Sequence, residues 1–135
     1  MRSETKNYTI MTNNPSLQAV FPGKYPNLQC EIDYRELSFE ALLMAVRDEV
    51  HKGAHILSHP LDGSVKPMET PYKSVLIEKT VGELDFDSLS LIENAIAACK
   101  KFQVQDREFL PEVQADFQMI DRSLMESALD AAKLV

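Results

Sequence analysis

The sequence predicts an α/β fold, a small three-layer sandwich with a mostly parallel sheet of about four strands and a helical C-terminal part. Three observations point there. Short runs rich in β-branched residues alternate with stretches of helical period. The run Tyr72–Lys79 has a continuous apolar centre, as in a strand covered on both faces. No internal repeat, low-complexity tract or long linker divides the 135 residues, so a single domain over 1–135 is expected.

Residues up to about 7 read as an N-terminal extension. The first strand is YTIMT, Tyr8–Thr12, and NNP stops it because Asn14 precedes a proline and is steered away from helix. Asn14 then caps a short helix with Pro15 in its first turn, covering about Pro15–Val20 and ending before FPGKYP, which reads as turn and loop. In LQCEIDY, Leu28, Cys30, Ile32 and Tyr34 alternate with Gln29, Glu31 and Asp33, the pattern of a half-exposed edge strand.

Ser38 caps the next helix, whose apolar positions Phe39, Leu42, Leu43, Val46 and Val50 follow the helical period, and Gly53 supplies its stop. AHILSH, Ala54–His59, is the third strand and YKSVLIEK, Tyr72–Lys79, the fourth; no helix lies between them, so this pair can run antiparallel. Asp85 caps a long helix to about Phe102, with Leu89, Ile92, Ile96 and Cys99 in its stripe. A helical tail over about 111–135 starts at Pro111 with Val113, Phe117, Ile120 and Leu124 in register, and SLME, Ser123–Glu126, fits a capping box that would restart it. Elements in this order suggest a Rossmann-like or flavodoxin-like arrangement.

Composition narrows the function classes. The longest apolar runs are a few residues, far short of the roughly 18 that a membrane span needs, and MRSETKNYTIMTNN lacks the apolar centre of a signal peptide. A soluble, cytoplasmic protein without a membrane partner is expected. Cys30 and Cys99 match no zinc or redox spacing and read as buried thiols. A net charge of -7 argues against nucleic acid as a partner, since backbone phosphates demand clustered cations. The charge is uneven: His51–Lys79 has four lysines against three acids.

All three histidines fall in HKGAHILSHP, four residues apart. On one helix they would line a face, but Gly53 and Pro60 break it. On a strand, His55 and His59 would stand about 13 Å apart, too far for both rings to reach about 2 Å from one ion. No metal is expected. His51 reads as a solvated cation in the last helical turn and His55 as a packed ring. His59 closes its strand, where ligands of parallel sheets gather; it stands equally as a structural hydrogen-bonding residue and as a functional one.

The loop SHPLDGSVKPMETPYKS, Ser58–Ser74, is the candidate ligand-binding segment. Three prolines restrict it, Asp62-Gly63 forms a turn, and Ser64, Lys66, Thr70, Tyr72 and Lys73 supply donors for a small anion. If the first and third strands are parallel neighbours, Thr12, Asn13 and Asn14 lie at the same sheet end, where the following helix offers free backbone N–H groups. The plainer reading is that the prolines shape a crossover and the lysines solvate it. No GxSxG, Walker loop, GxGxxG or Cys beside His is present, and no cofactor is expected.

TNNP near the start, VRDEVHKGAHILSHPLDGSVKPMETPYKSVLI in the middle, LDFDSLSLIENAI and DFQMIDRSL together resemble the GrdX family, over about Thr12–Leu124. The matching residues are Thr12, Asn13, Asn14 and Pro15, then His59, Pro60, Gly63, Ser64, Lys66, Pro67, Thr70, Pro71, Tyr72 and Lys73; the segments before Tyr8 and after Leu124 read as peculiar to this chain. The resemblance implies a small accessory protein encoded beside glycine, sarcosine or betaine reductase components of amino-acid-fermenting anaerobes, and names no substrate. Three functions are therefore carried. The first is binding of a small carboxylate or phosphate metabolite. The second is an enzyme, a transferase or hydrolase using His59 as acid or base. The third is an interaction protein whose tail, with Met119, Met125 and Leu129, packs on reductase components or on another copy as a homo-oligomer.

Overall fold

The computed structural model describes residues 7–61, 70–101 and 109–135. Their elements are β1 (Asn7–Thr12), α1 (Pro15–Lys24), β2 (Cys30–Tyr34), α2 (Phe39–His51), β3 (His55–Ile56), β4 (Ser74–Lys79), α3 (Phe86–Lys101) and α4 (Pro111–Ala131). The sheet order is β2-β1-β4-β3. Only β1 and β2 are parallel; β4 runs antiparallel to β1 on one side and to β3 on the other.

The expected mostly parallel sheet is therefore corrected to a mixed one, and the Rossmann-like or flavodoxin-like arrangement does not hold. The cause is β4, which lies between β1 and β3 and pairs antiparallel with both. β1 and β3 are consequently not neighbours. Both still oppose β4, so the end of β1, the end of β3 and the start of β4 lie at the same sheet end.

Helices cover both faces. Met11, Val75 and Ile77 point to one, where α2 contributes Leu42, Leu43, Val46 and Val50 and α3 contributes Ile92, Ile96 and Cys99. Ile10 and Leu76 point to the other, packed with Leu17 and Phe21 of α1 and with Met125 and Leu129 of α4. This alternation is the period of two along β1 and β4. Cys30 and Ile32 of β2, half-buried, lean on the second core; burial pushes the Cys30 and Cys99 thiols each up to about 11.

The caps at Asn14, Ser38 and Asp85 form as the sequence predicts. Asn14 accepts from Ser16 N at 3.0 Å, Ser38 from Ala41 N at 3.1 Å, and Asp85 from Ser88 N at 3.3 Å. Four local expectations change. α1 continues through Pro22 to Lys24, because Phe21 is fully buried in the second core and Tyr25 N still bonds Phe21 O at 2.8 Å. β3 spans two residues, because Leu57 N and Ser58 N both bond Leu76 O while Ser58 Oγ takes Leu76 N, so ladder pairing ends there. α4 runs unbroken through Ser123–Glu126. Its buried stripe is Asp121, Met125 and Leu129; Ile120 lies on the exposed side.

Two small effects on stability follow from this frame. Thr9, 1% exposed, shares its face of β1 with Met11, and its Oγ1 has no hydrogen-bond partner. Thr9→Val is expected to stabilise the fold by about 1 kcal/mol, read from denaturant melts, because an unpartnered buried hydroxyl forfeits its hydration. After α4, Lys133 takes φ 60° while Leu134 N returns to Leu129 O at 2.9 Å, and Leu134 packs on the second core, the arrangement of a Schellman end. Lys133→Gly should raise stability by about 1 kcal/mol in the same melts, since glycine adopts that backbone without a Cβ clash.

Candidate functional site

The register that puts Ile10 opposite Leu76 puts Thr12 opposite Ser74 one step further along the same face. The second core therefore turns polar at the sheet end. Thr12, Asn13, Asn14, Lys73, Ser74 and Asp121 are all buried there, and they come from three segments: the β1–α1 turn, the start of β4 and the middle of α4.

Hydrogen bonds close the cluster. Thr12 Oγ1 lies 2.7 Å from Ser74 Oγ and accepts from Asn14 N at 2.9 Å. Ser74 Oγ donates to Asp121 Oδ2 at 2.6 Å, and Asn14 Nδ2 donates to the same oxygen at 3.0 Å and to Gln118 O at 3.0 Å. Asn13 pins the neighbouring backbone: its Nδ2 donates to Leu37 O at 2.9 Å and Pro71 O at 2.8 Å, and its Oδ1 accepts from Lys73 N at 2.8 Å. On the outer side Asn14 Oδ1 accepts from Ser16 Oγ at 2.7 Å, and Arg122 donates to that hydroxyl. Asp121 is thus a carboxylate inside the core. Burial pushes its pKa up, and the Ser74 and Asn14 donors and the Lys73 ammonium pull against that rise.

Of the residues singled out from sequence, Thr12, Asn13, Asn14 and Lys73 meet in this cluster, and Tyr72 borders it, its hydroxyl accepting from Gln118 Nε2 at 2.9 Å. Thr70 Oγ1 accepts from Tyr72 N at 3.2 Å and shapes the turn into β4. Gly63, Ser64 and Lys66, with the Asp62-Gly63 turn, lie outside the described residues. His59 is exposed, and its Nδ1 accepts from Leu61 N at 3.1 Å, the bond of a local turn. His51 is exposed at the end of α2, as expected. His55 is half-exposed rather than packed, with Nδ1 3.4 Å from Asp85 Oδ2. No group of three His, Cys, Asp or Glu side chains suited to a metal ion forms among the described residues.

Ser74, Asp121, Gln118, Ser16 and Arg122 were not singled out. A carboxylate at helical spacing from Met125 and Leu129 was the available signal, and DFQMIDRSL contains it. Of the tail residues expected to meet a partner, Met125 and Leu129 are taken up by the chain's own core while Met119 stays exposed. At the opposite end of α1, Glu126 accepts from Lys24 at 2.7 Å and from Tyr25, bonds that hold its carboxyl below the usual range. No helix of the described residues is long and apolar enough to cross a membrane.

No curated protein and no solved structure matches the chain. Residues 9–130 match the family described as GrdX-like protein, a match that begins before Thr12 and runs past Leu124 into the last turns of α4, so those turns are not peculiar to this sequence. With nearly the whole chain covered, from β1 to the end of α4, the protein belongs to the GrdX-like family.

Proposed function

We propose that this GrdX-like protein is an accessory protein of a glycine reductase-type amino-acid pathway, and that it binds a small anionic metabolite, a carboxylate or phosphate, at the sheet end formed by Thr12–Asn14 and Tyr72–Ser74. One observation carries the reading: six polar residues are buried at that end, and four of them, Thr12, Asn14, Ser74 and Asp121, bond to one another on the face where Ile10 and Leu76 build an apolar core one step away. Polar and charged groups stabilise an interior less than apolar packing does, so their concentration at one place argues for a recognition role there. The place fits. It is the carboxyl end of the parallel pair β1 and β2, next to the first turn of α1, and the Lys73 ammonium and the Arg122 guanidinium favour an anion in a chain of net charge -7. His59, Gly63, Ser64, Lys66 and Thr70 belong to the same proposal as the segment leading into β4.

The test is a thermal-shift comparison of wild type with the double variant His59→Ala, Lys66→Ala against phosphate, sulfate, acetate, glycine and betaine. At about a hundred times its dissociation constant a ligand should stabilise by about 2.7 kcal/mol, several degrees for a domain of this size. A wild-type shift that the double variant loses is the expected result. No shift with any of these compounds would overturn the proposal.

A further inference from the structure

Asp121 sits at this sheet end as a guest would. Its Oδ2 receives Ser74 Oγ at 2.6 Å and Asn14 Nδ2 at 3.0 Å, and the Lys73 ammonium acts on its charge. Ser74, Asn14 and Lys73 belong to the sheet end itself, whereas Asp121 arrives on α4, 47 residues after Ser74. Without the Asp121 carboxylate, the same place would present a hydroxyl donor and an amide donor within the field of the Lys73 charge, a set suited to a carboxylate. A phosphate, with more oxygens and more charge, is matched less well by this set.

On this side α4 is held by polar contacts, from Asn14 to Gln118 O, from Gln118 to Tyr72 and from Arg122 to Ser16, rather than by apolar packing. Of its 21 residues only Asp121, Met125 and Leu129 are buried, and the turns before Asp121 contain no buried residue. Departure from the seat would return the carboxylate of Asp121 to water, recovering the hydration that burial removes. An incoming carboxylate would take over the donors left behind, so the exchange replaces like with like.

We propose that this seat is a carboxylate-binding site occupied in cis by Asp121, and that a small carboxylate metabolite enters by replacing Asp121 as the middle of α4 moves outward. The inference rests on the small-anion reading and narrows it to carboxylates. It also assigns Asp121 an autoinhibitory contact, one that lowers apparent affinity by the fraction of molecules whose seat is open.

The experiment is rescue of Asp121→Ala by sodium formate and sodium acetate, with sodium chloride at equal ionic strength as control, followed by thermal melting. Truncation empties the seat, so formate should raise the Tm of Asp121→Ala by about 4 °C at about ten times its dissociation constant. Wild type should need at least about tenfold more formate for the same rise. Asp121→Ser, which also makes room but keeps a hydroxyl, carries the same comparison if the alanine variant does not fold. A folded variant indifferent to formate and acetate, or one responding no better than wild type, would overturn self-occupancy. The small-anion reading would then stand or fall separately on the wild-type screen.

Discussion

Asp121→Ala is expected to cost about 3 kcal/mol of stability, while Asp121→Asn should leave the protein at least as stable as wild type near neutral pH. The asymmetry follows from what each change leaves behind. Alanine removes the acceptor of Ser74 Oγ and Asn14 Nδ2 and opens a void in a close-packed seam. Asparagine keeps an oxygen for both donors and removes the buried negative charge. Because burial holds the Asp121 pKa above the ordinary carboxylate value, the folded state binds the proton more tightly than the unfolded state. The contribution of this group is therefore fully present below the unfolded pKa and is lost as pH rises through the folded one. Glu126 and Asp85 work in the opposite sense: hydrogen bonds from Lys24 and Tyr25, and from Ser88, lower their pKa values, so their contributions fade as pH falls. Subtracting wild type from Asp121→Asn cancels those terms. Denaturant melts from about pH 4 to pH 8 should show the stability of the asparagine variant improving relative to wild type as pH rises. A difference that stays flat would mean that Asp121 does not titrate differently in the two states.

The parts of this site legible in the sequence are those encoded locally. Asn14 before Pro15 announces a cap, and the motif segments TNNP and TPYKS were placed at one sheet end, where β1 and β4 do bring them together. That placement rested on a wrong neighbour, since β4 and not β3 adjoins β1. Strand direction depends on pairing between residues tens of positions apart, and local pattern carries little of it. The one local hint of the antiparallel β3–β4 pair is the lack of helical periodicity in the sequence between the two strands. Asp121 stayed hidden for an energetic reason: a carboxylate on a helix ordinarily seeks water, so Phe117, Ile120 and Leu124 looked like the inward stripe. Only the three-segment convergence of Asn14, Ser74 and Asp121 makes the alternative stripe favourable, and that convergence is tertiary. α1 makes the same point through Phe21, whose burial carries the helix past a proline that local rules read as a stop.

At the other end of the sheet, one glycine sets a limit on the frame that holds the site. Gly53→Ala is expected to destabilise by about 3 kcal/mol, and Gly82→Ala by about 1 kcal/mol. Both residues have positive φ, 112° and 153°, so both substitutions strain the backbone. The difference lies in the surroundings. A Cβ on Gly53 would lie 2.9 Å from Gly82 N and 2.9 Å from Thr80 O, backbone atoms that no rotamer change can move aside, whereas a Cβ on Gly82 meets nothing within 4 Å. Thr80 Oγ1 also donates to Gly53 O, tying the α2–β3 turn to the segment after β4, so a shift that relieved the clash would loosen that bond. The strain would fall on the ends of β3 and β4 farthest from Ser74, with the length of β4 in between. Formate rescue of Asp121→Ala should accordingly keep its dissociation constant in a Gly82→Ala background, while Gly53→Ala should lower the melting temperature of apo and ligand-bound protein by similar amounts. Equal losses at the two glycines would show that backbone strain alone, and not the close approach at Gly53, sets the cost.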